Sequence, residues 1–193
     1  MKKLLLMYIR FSRFMDNLYH EIKAIITPDI CNTEISDYWL KRLEEGGLTR
    51  DENPASHFCC YFLPYNPETK QIFIIHHKKS GLWLAPGGHI DKGESLIQTL
   101  NREIEEELGI KDRIENDIKP FLLTITPINN PVHPCKEHLD LWYRFPTDGN
   151  EFNIDPREFH QTRWCSIQEA RGLITDPPNV QALDKTEELF NES

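Results

Sequence analysis

The sequence lacks a long apolar run. No stretch of its 193 residues reaches the ~20 apolar residues that a membrane-spanning helix needs. Lys2 and Lys3 precede a short apolar run at residues 4–9. Arg10 and Arg13 interrupt this run, and no small-residue cleavage site follows it. We therefore expect neither membrane association nor a secretion signal.

Paired cysteines are also missing. The five cysteines are odd in number, and no two of them have the CxxC spacing of metal-binding or redox motifs. This usage is typical of free thiols in a reducing compartment. It predicts a cytoplasmic protein.

Positive charge is scarce. The chain has 22 Lys and Arg against 31 Asp and Glu, which gives a formal net charge of −9. Because a phosphate backbone repels an acidic surface, we expect no non-specific binding to nucleic acid. A phosphorylated small molecule stays compatible with this charge, since metal ions screen it locally. The length and the 39% apolar content describe one main globular domain.

Residues 1–50 are predicted to form an N-terminal helical extension. Apolar residues recur there at helical spacing: Ile9, Phe14, Leu18 and Ile22. Thr33 is the candidate N-cap of a second helix, which the glycine pair at residues 46–47 ends. The helices are expected to pack on the domain that follows. Homodimerisation is the alternative role.

Residues 55–193 are predicted to form the main domain. β-rich runs lie at residues 57–63, 71–77, 82–84, 121–126, 139–145 and 162–165, and helical segments lie at 95–108, 167–173 and 180–190. A turn rich in Gly and Pro follows residue 84. Strands interleaved with helices predict an α/β or α+β sandwich.

The helix predicted at residues 95–108 has clear start and stop signals. Ser95 and Gln98 form a candidate capping box. Gly109 stands where a helix favours a left-handed terminating residue. An apolar stripe with a spacing of four predicts packing on a sheet: Leu96, Leu100, Ile104 and Leu108.

Three glutamates share a neighbouring face of this helix. Glu103, Glu106 and Glu107 stand at i, i+3 and i+4, so their carboxylates gather together. Arg102 lies four residues before Glu106 and can orient it. Such a run is commonly a solvated face. On a half-buried face, two carboxylates ~6 Å apart repel by ~3 kcal/mol at an effective dielectric of ~20. A divalent cation removes that cost, and these hard oxygen ligands suit Mg²⁺ or Mn²⁺ rather than zinc.

The full spacing over residues 88–110 resembles the Nudix box. The segment GHIDKGESLIQTLNREIEEELGI fits the pattern Gx5Ex7REUxEExGU, where U is a bulky apolar residue, at every position. A chance match anywhere in the chain is on the order of 10⁻⁷. The chain is identified as a Nudix hydrolase over roughly residues 55–190, and residues 1–50 lie outside the resemblance.

The resemblance implies an α/β/α sandwich with a mixed sheet and a metal-dependent hydrolase. Such enzymes cleave a phosphoanhydride bond of a nucleoside diphosphate linked to another moiety, by attack of water at phosphorus. By carry-over, Glu103, Glu106 and Glu107 would hold Mg²⁺ or Mn²⁺, and one of them is a candidate to polarise the water. Arg102 would orient this cluster.

The resemblance also assigns supporting roles around the helix. Gly88 would allow close backbone approach and is a candidate metal ligand through its carbonyl. Glu94 would support the loop, and Gly109 would end the helix. In one branch of the family a further acid lies six residues before a Trp, which here selects Glu158, six residues before Trp164, as general base or extra metal ligand.

Other loop acids remain open as alternatives. A solvated loop glutamate is the competing interpretation of Glu158. Glu151 and Asp155 are weaker candidates nearby.

Several His, Cys and aromatic residues outside the box are candidates for substrate contact. The segment HPCKEH contains His133, Cys135 and His138, but its irregular spacing argues against zinc. We expect a substrate loop there, with His138 as a contact. Trp83, Trp142 and Tyr143 are candidates to stack on a base. Core packing is their alternative role.

Two other functions are alternatives to hydrolysis. One is a non-catalytic Nudix-type module that senses a nucleotide or binds a partner. The other is an isomerase acting on a prenyl diphosphate. The intact REUxEE sequence counts against both, because a pure sensor has no physical need for clustered carboxylates and such isomerases typically deviate in the box.

Overall fold

A mixed β-sheet between two helical layers forms the centre of the molecule. The computed structural model describes residues 17–114, 118–129, 132, 134–154 and 156–192. The predicted positions Ile9, Phe14, His133 and Asp155 lie outside these ranges. Among the described residues, no helix combines the length and the apolar character needed to cross a membrane. The predicted α/β/α sandwich is confirmed.

Seven strands and five helices follow one another along the described chain. The strands are β1 (Ser56–Asn66), β2 (Gln71–His77), β3 (Trp83–Leu84), β4 (Gly87–His89), β5 (Leu122–Pro127), β6 (Glu137–Pro146) and β7 (Phe159–Cys165). The helices are α1 (17–25, its described part), α2 (Thr33–Glu44), α3 (Leu96–Leu108), α4 (Ile167–Arg171) and α5 (Pro177–Glu192).

The long strand β1 is the centre of the sheet. The strand order is β3-β2-β1-β6-β5, while β4 pairs with β1 and β7 pairs with β2. β1 and β6 run parallel, from the pair Ser56 and Glu137 to the pair Tyr65 and Pro146. The other pairings are antiparallel. The crossover between β1 and β6 brings residues about 80 positions apart side by side.

Alternate residues of the strands enter two separate cores. Phe58, Cys60 and Phe62 face the first core, which contains residues of α1, α2 and α3. Leu63 faces the second core, which contains residues of α4 and α5. Each face of the sheet is therefore covered by its own helical layer, as the period-2 pattern of buried strands requires.

The N-terminal helices belong to the first core. Leu18 of α1 and Trp39 of α2 are buried in it, and the Trp39 ring meets Phe58 edge-on at a centroid distance of 5.2 Å. The Glu21 carboxylate accepts a hydrogen bond of 2.9 Å from the amide of Leu96, at the first turn of α3. These helices pack on the main domain, whereas homodimerisation and the boundary near residue 50 remain predictions.

The start and end of α3 agree with the sequence pattern. Ser95 and Gln98 form both hydrogen bonds of the capping box. Gly109 ends the helix with a φ of 72°, and its amide donates to the carbonyl of Glu105 at 2.9 Å. The three predicted signals are confirmed because each depends only on contacts within one or two helical turns.

Several predicted boundaries are wrong, among them the start of β7, which is Phe159 and not residue 162. Three further differences have a clear physical reason. Asn32 caps α2 in place of Thr33, because its side chain accepts the amide of Ile35 at 2.9 Å. Residues 87–89, predicted as part of a turn, form β4 against β1. The helix predicted from residue 180 begins at Pro177, since proline is well suited to the first helical turn.

Candidate active site

A cleft of about 700 Å³ lies where β4 meets α3. This volume is within the range of small-molecule sites in proteins. The predicted glutamates Glu103, Glu106, Glu107 and Glu158 all line it. The structure thus brings the three box acids and the distant loop acid to one cavity.

The cleft is strongly acidic. Its described lining contains seven carboxylate side chains against three Lys or Arg side chains. The acids are Asp91, Glu103, Glu106, Glu107, Asp140, Glu158 and Asp176, and the basic residues are Arg50, Lys79 and Arg102. Because a concave, partly dry wall amplifies such an imbalance, the cleft favours cations.

The three helix glutamates differ in exposure. Glu103 is 6% exposed, and burial raises its pKa to about 7 although Arg102 opposes the shift. Burial and the neighbouring Glu103 raise the pKa of Glu107 well above its usual value. The side chain of Glu106 is 59% exposed. Ionising the buried end of the cluster is therefore costly without a nearby cation.

Arg102 organises the glutamate cluster. Its guanidinium donates to both carboxylate oxygens of Glu94, at 2.8 and 3.0 Å, and to Glu103 at 2.6 Å. It also reaches Glu106 at 3.2 Å and the carbonyl of His89 at 2.8 Å. This planar fork is rigid, so it holds the helix acids against the loop that precedes the helix.

Glu94 anchors the loop before α3. Its carboxylate accepts from Thr99 at 2.8 Å and from the amide of Asp91 at 3.2 Å, in addition to Arg102. Burial alone would raise the pKa of Glu94, but the hydrogen bonds from Arg102 and Thr99 outweigh it and the pKa is lowered. The supporting position predicted for Glu94 matches these contacts.

Gly88 and Gly87 bring the backbone of β4 against the acids. A Cβ atom at Gly88 would lie 2.5 Å from Oε1 of Glu103, which is closer than real side chains approach. The amide of Gly87 donates to Glu107 at 2.7 Å. Only a residue without a side chain leaves the Glu103 carboxylate in its present place.

Glu158 faces the box acids from the loop before β7. It is exposed, and its charge contributes to the raised pKa of Glu107. The alternative candidate Glu151 pairs with Arg113 at 3.5 Å and is not among the described residues that line the cleft. Of the two candidate acids that the structure describes on this loop, only Glu158 lines the cavity.

The structure brings two of the four predicted substrate contacts to the cleft. His138 and Trp142 line it. Tyr143 is 1% exposed in the first core, because alternate residues of β6 face opposite sides of the sheet. Trp83 stacks on His76 at 5.1 Å and packs against the second core. Core packing, the alternative stated for Tyr143 and Trp83, describes both.

Sequence reasoning missed several residues of the cleft. Asn179 of α5 accepts the amide of Ala85 at 2.8 Å and donates to Asp176 at 2.7 Å, so it fixes the segment that leads into β4. Tyr61 contributes to the floor, where its ring stacks on Trp142 at 5.0 Å. No local motif marks these residues, because Ala85 lies 94 positions from Asn179 and Trp142 lies far along the chain from Tyr61.

The donors present fit a hard divalent cation. Glu103 and Glu107 place buried carboxylate oxygens at the cleft, and one arginine does not balance the acids around it. Mg²⁺ and Mn²⁺ take oxygen ligands of this kind. The raised pKa values have the same origin, since they express the cost of burying ionised carboxylates without a compensating cation.

An α/β/α sandwich whose central acidic helix follows a glycine-containing strand defines a Nudix-type fold. The sequence model of the NUDIX domain matches residues 54–186. The chain belongs to the Nudix family, as the box over residues 88–110 predicted.

Three relatives show how this chain compares with known members. It is 31% identical over 110 residues to an RNA pyrophosphohydrolase of Mesorhizobium japonicum, which covers 48% of this chain and 61% of the relative. It is 26% identical over 117 residues to the uncharacterised Nudix hydrolase YvcI of Bacillus subtilis, covering 59% and 70%. It is 27% identical over 106 residues to a CTP pyrophosphohydrolase of Escherichia coli, covering 55% and 71%.

Solved structures share the fold at low sequence identity. The NUDIX domain of Shewanella oneidensis NrtR, complexed with ADP-ribose, superposes with a TM-score of 0.55 at 16% identity, over 69% of this chain and 88% of that one. A MutT Nudix hydrolase of Burkholderia pseudomallei gives a TM-score of 0.53 at 20% identity, over 67% and 97%. At such identities these similarities describe the fold alone.

Proposed function

We propose that this protein hydrolyses a phosphoanhydride bond of a nucleoside diphosphate linked to another group, with Mg²⁺ or Mn²⁺ as cofactor. The observation that carries the proposal is the pair Glu103 and Glu107, which place buried carboxylates at a cleft that is already rich in acids. An anionic diphosphate enters such a cleft only together with cations. Relatives named RNA pyrophosphohydrolase and CTP pyrophosphohydrolase support the same class of bond.

Glu103, Glu106 and Glu107 would hold the metal ion, with the carbonyl of Gly88 as an additional candidate ligand. When bound, the metal supplies positive charge that neutralises the phosphate oxygens and the negative charge that develops on the leaving group. The chain's own part is to hold these carboxylates in position, since burial without a cation disfavours their ionised form. Arg102 performs that task through its contacts with Glu94 and Glu103.

Glu158 is the proposed general base. It lies at the cleft on the loop before β7, and its exposure keeps it accessible to water. In the proposed step, Glu158 accepts a proton from the attacking water as the new bond to phosphorus forms. The bond from phosphorus to the bridging oxygen breaks, and the phosphate on the other side of that oxygen departs.

The remaining lining residues suit a phosphorylated ligand with a planar group. Lys79 and Arg50 are exposed cations at the cleft and would contact phosphate oxygens. Leu82 also lines the cleft, is 41% exposed and offers an apolar surface. His138 of β6 also lines the cleft and is the proposed polar contact of the substrate.

The five cysteines are all free in the structure. Free thiols persist where glutathione and thioredoxin keep them reduced. We therefore propose a cytoplasmic location, where nucleotide substrates are also available.

A substrate panel tests the proposed activity. The full chain is incubated with nucleoside triphosphates, dinucleoside polyphosphates, nucleotide sugars and ADP-ribose, with Mg²⁺ or with a chelator, and release of phosphate, pyrophosphate or nucleoside monophosphate is measured. We expect turnover of at least one compound, abolished by the chelator and restored by excess Mg²⁺. Ligand binding without turnover of any compound would overturn the proposal in favour of a nucleotide-sensing module.

A further inference from the structure

A second group of metal-ligating side chains lies outside the glutamate cluster. The ligand atoms of His57, Cys59, His89 and His138 all lie within 4.8 Å of one another. The three imidazole rings are mutually close, with centroid separations of 4.9 Å between His57 and His89 and 5.0 Å from each of them to His138. Three imidazoles and one thiol thus converge on a single point.

The strand pairings explain this convergence. His57 and Cys59 stand two apart on β1, so their side chains leave the same face of the sheet. His138 of β6 is the direct partner of His57, and His89 of β4 is the direct partner of Cys59. The four residues therefore come from three adjacent strands.

The chemical character of this sheet face changes along β1. Farther along β1 the same face carries Leu63 of the second core, where α4 and α5 cover the sheet. Around Cys59 it carries the three histidines and the buried Asp140, none of which belongs to either hydrophobic core. His89 and His138 also line the cleft, so the point of convergence lies next to it, while His57 and Cys59 are fully buried.

Two neighbouring contacts resemble the supporting shell of a metal site. The Nδ1 atom of His57 lies 3.0 Å from the carbonyl oxygen of Asn53. Because a carbonyl only accepts, Nδ1 carries the proton and Nε2 holds the lone pair. This arrangement is common for metal-bound histidine.

Asp140 supplies the second supporting contact. It is the direct partner of Cys59 across β1 and β6 and is 1% exposed. Its Oδ2 accepts from Thr124 and Thr126, whereas Oδ1 accepts no hydrogen bond from the residues described. A buried carboxylate oxygen of this kind calls for a compensating positive charge.

We propose that His57, Cys59, His89 and His138 form a zinc site, distinct from the glutamate cluster. A set of three imidazoles and one thiolate suits Zn²⁺, whereas Mg²⁺ prefers oxygen ligands. The Cys59 thiolate and the nearby Asp140 carboxylate together balance the two positive charges of the ion. Tetrahedral nitrogen ligands at ~2.0 Å from zinc lie ~3.3 Å apart, so each side chain moves inward by roughly 1 Å.

Four protein ligands give the site a structural role. The ion would tie β1, β4 and β6 together next to the segment that supports the glutamates. The carbonyl of His89 accepts from Arg102, and Gly87, two residues earlier on β4, donates to Glu107. A fixed β4 therefore holds the backbone groups on which the acidic cluster depends. The inference requires no hydrolytic activity, so it stands or falls separately from the proposed function.

Cobalt substitution tests the site in the metal-free full chain. Co²⁺ is titrated in excess Mg²⁺, and the thiolate-to-cobalt charge-transfer absorption is recorded together with the visible bands of tetrahedral Co²⁺. We expect one Co²⁺ per chain with both signals, displaced by one equivalent of Zn²⁺. Zn²⁺ in ~100-fold excess over its Kd should raise the melting temperature by about 5–10 °C. Absence of the charge-transfer band in the wild-type chain would overturn the inference without any variant.

Matched variants identify the ligands. Cys60 is adjacent on β1, equally buried and directed to the opposite face, so Cys60→Ala controls for Cys59→Ala. We expect Cys59→Ala to lose the charge-transfer band and His138→Ala to weaken Zn²⁺ binding at least ~100-fold. Cys60→Ala should retain both signals. Loss of the band in Cys135→Ala but not in Cys59→Ala would contradict the assigned ligand set.

A further variant separates this site from the acidic cluster. The double substitution of Glu103 and Glu107 to Gln removes the proposed magnesium ligands and leaves all four zinc ligands in place. We expect the Co²⁺ signals of that protein to match the wild type. Their disappearance would show that the transition metal binds at the glutamates instead, which would overturn the separate site while leaving the proposed hydrolysis intact.

Discussion

Gly88 and Glu103 fit each other only because position 88 lacks a side chain: a Cβ atom there would lie 2.5 Å from Oε1 of the glutamate. Glu103 is 6% exposed and is held by Arg102 at 2.6 Å. The carboxylate, at the end of a flexible side chain, is the part that would move. This contact therefore affects the position of a proposed metal ligand more than it affects the stability of the fold.

Replacing Gly88 tests that relationship. We expect Gly88→Ala to displace the Glu103 carboxylate, to raise the Mg²⁺ concentration needed for half-maximal activity and to lower kcat/KM at least ~10-fold, or ~1.4 kcal/mol. Gly172→Ala is the matched control, since Gly172 has a φ of −77° and ends α4 in the α-helical region. Equal Mg²⁺ requirements in both variants would contradict the close-approach argument.

The fork geometry of Arg102 can be separated from its charge. Arg102→Lys keeps one positive charge but cannot donate to Glu94, Glu103 and the carbonyl of His89 together. We expect kcat/KM to fall 10- to 100-fold, about 1.4–2.7 kcal/mol. Arg113→Lys, which alters a more exposed ion pair with Glu151, should change it less than twofold. An unchanged kcat/KM in Arg102→Lys would show that only the positive charge of this residue matters, and not its fork geometry.

Substitution of Glu158 tests whether this residue is a catalytic base or only a solvated loop residue. Its place at the cleft predicts that Glu158→Gln lowers kcat at least ~10²-fold, about 2.7 kcal/mol, with little change in the melting temperature. Glu151→Gln, on the same loop but paired with Arg113, should retain nearly full activity. A fall in kcat of less than threefold for Glu158→Gln would show that Glu158 is a solvated loop residue and not the base.

The buried acids predict how pH and Mg²⁺ act together on stability. The pKa of Glu103 is about 7 in the fold, above the ordinary value of 4.5, and that of Glu107 is raised as well. The protonated carboxyl of Glu103 is the form that the metal-free fold favours, so this contribution to stability is complete below about pH 4.5. It is lost as the pH rises through about 7, and the loss amounts to ~3 kcal/mol for Glu103. Mg²⁺ favours the ionised carboxylates and opposes that loss.

Thermal unfolding with and without Mg²⁺ measures this linkage. We expect Mg²⁺ to raise the melting temperature more at about pH 8 than at about pH 5, where protons compete with the metal. Glu103→Gln should weaken the difference, because its amide does not titrate. A Mg²⁺ effect that is the same at both pH values would argue that the ion binds elsewhere.

The sequence predicted the parts of the site that depend on local contacts. Ser95, Gln98 and Gly109 interact within one or two turns of α3, so residue type and spacing were sufficient. Local residue type and spacing could not predict which face of the sheet Tyr143 occupies. The strand around it was recognised, but which of two alternating faces meets the cleft depends on the parallel register of β1 and β6.

β4 and the histidine cluster also depend on pairing between residues far apart in the sequence, so local patterns did not predict them. β4 contains two glycines, and its strand form arises from pairing with residues 59–61. His57 and His138 are paired across 81 positions, so no short sequence motif predicts the cluster of His57, His89 and His138. The spacing of HPCKEH argues against zinc within that segment, whereas the proposed partners of His138 lie about 50 to 80 positions earlier in the chain.

Turnover of Glu107→Gln against Glu105→Gln tests the central claim most directly. Both glutamates belong to α3, but Glu107 lines the cleft, whereas Glu105 has a 48% exposed side chain and pairs with Lys111 at 3.1 Å. With saturating Mg²⁺ and a substrate found in the panel, we predict that Glu107→Gln loses at least ~10³-fold in kcat/KM, about 4 kcal/mol, and that Glu105→Gln stays within threefold of wild type. Equal rates for the two variants would contradict a metal-dependent hydrolase built on the inward-facing acids.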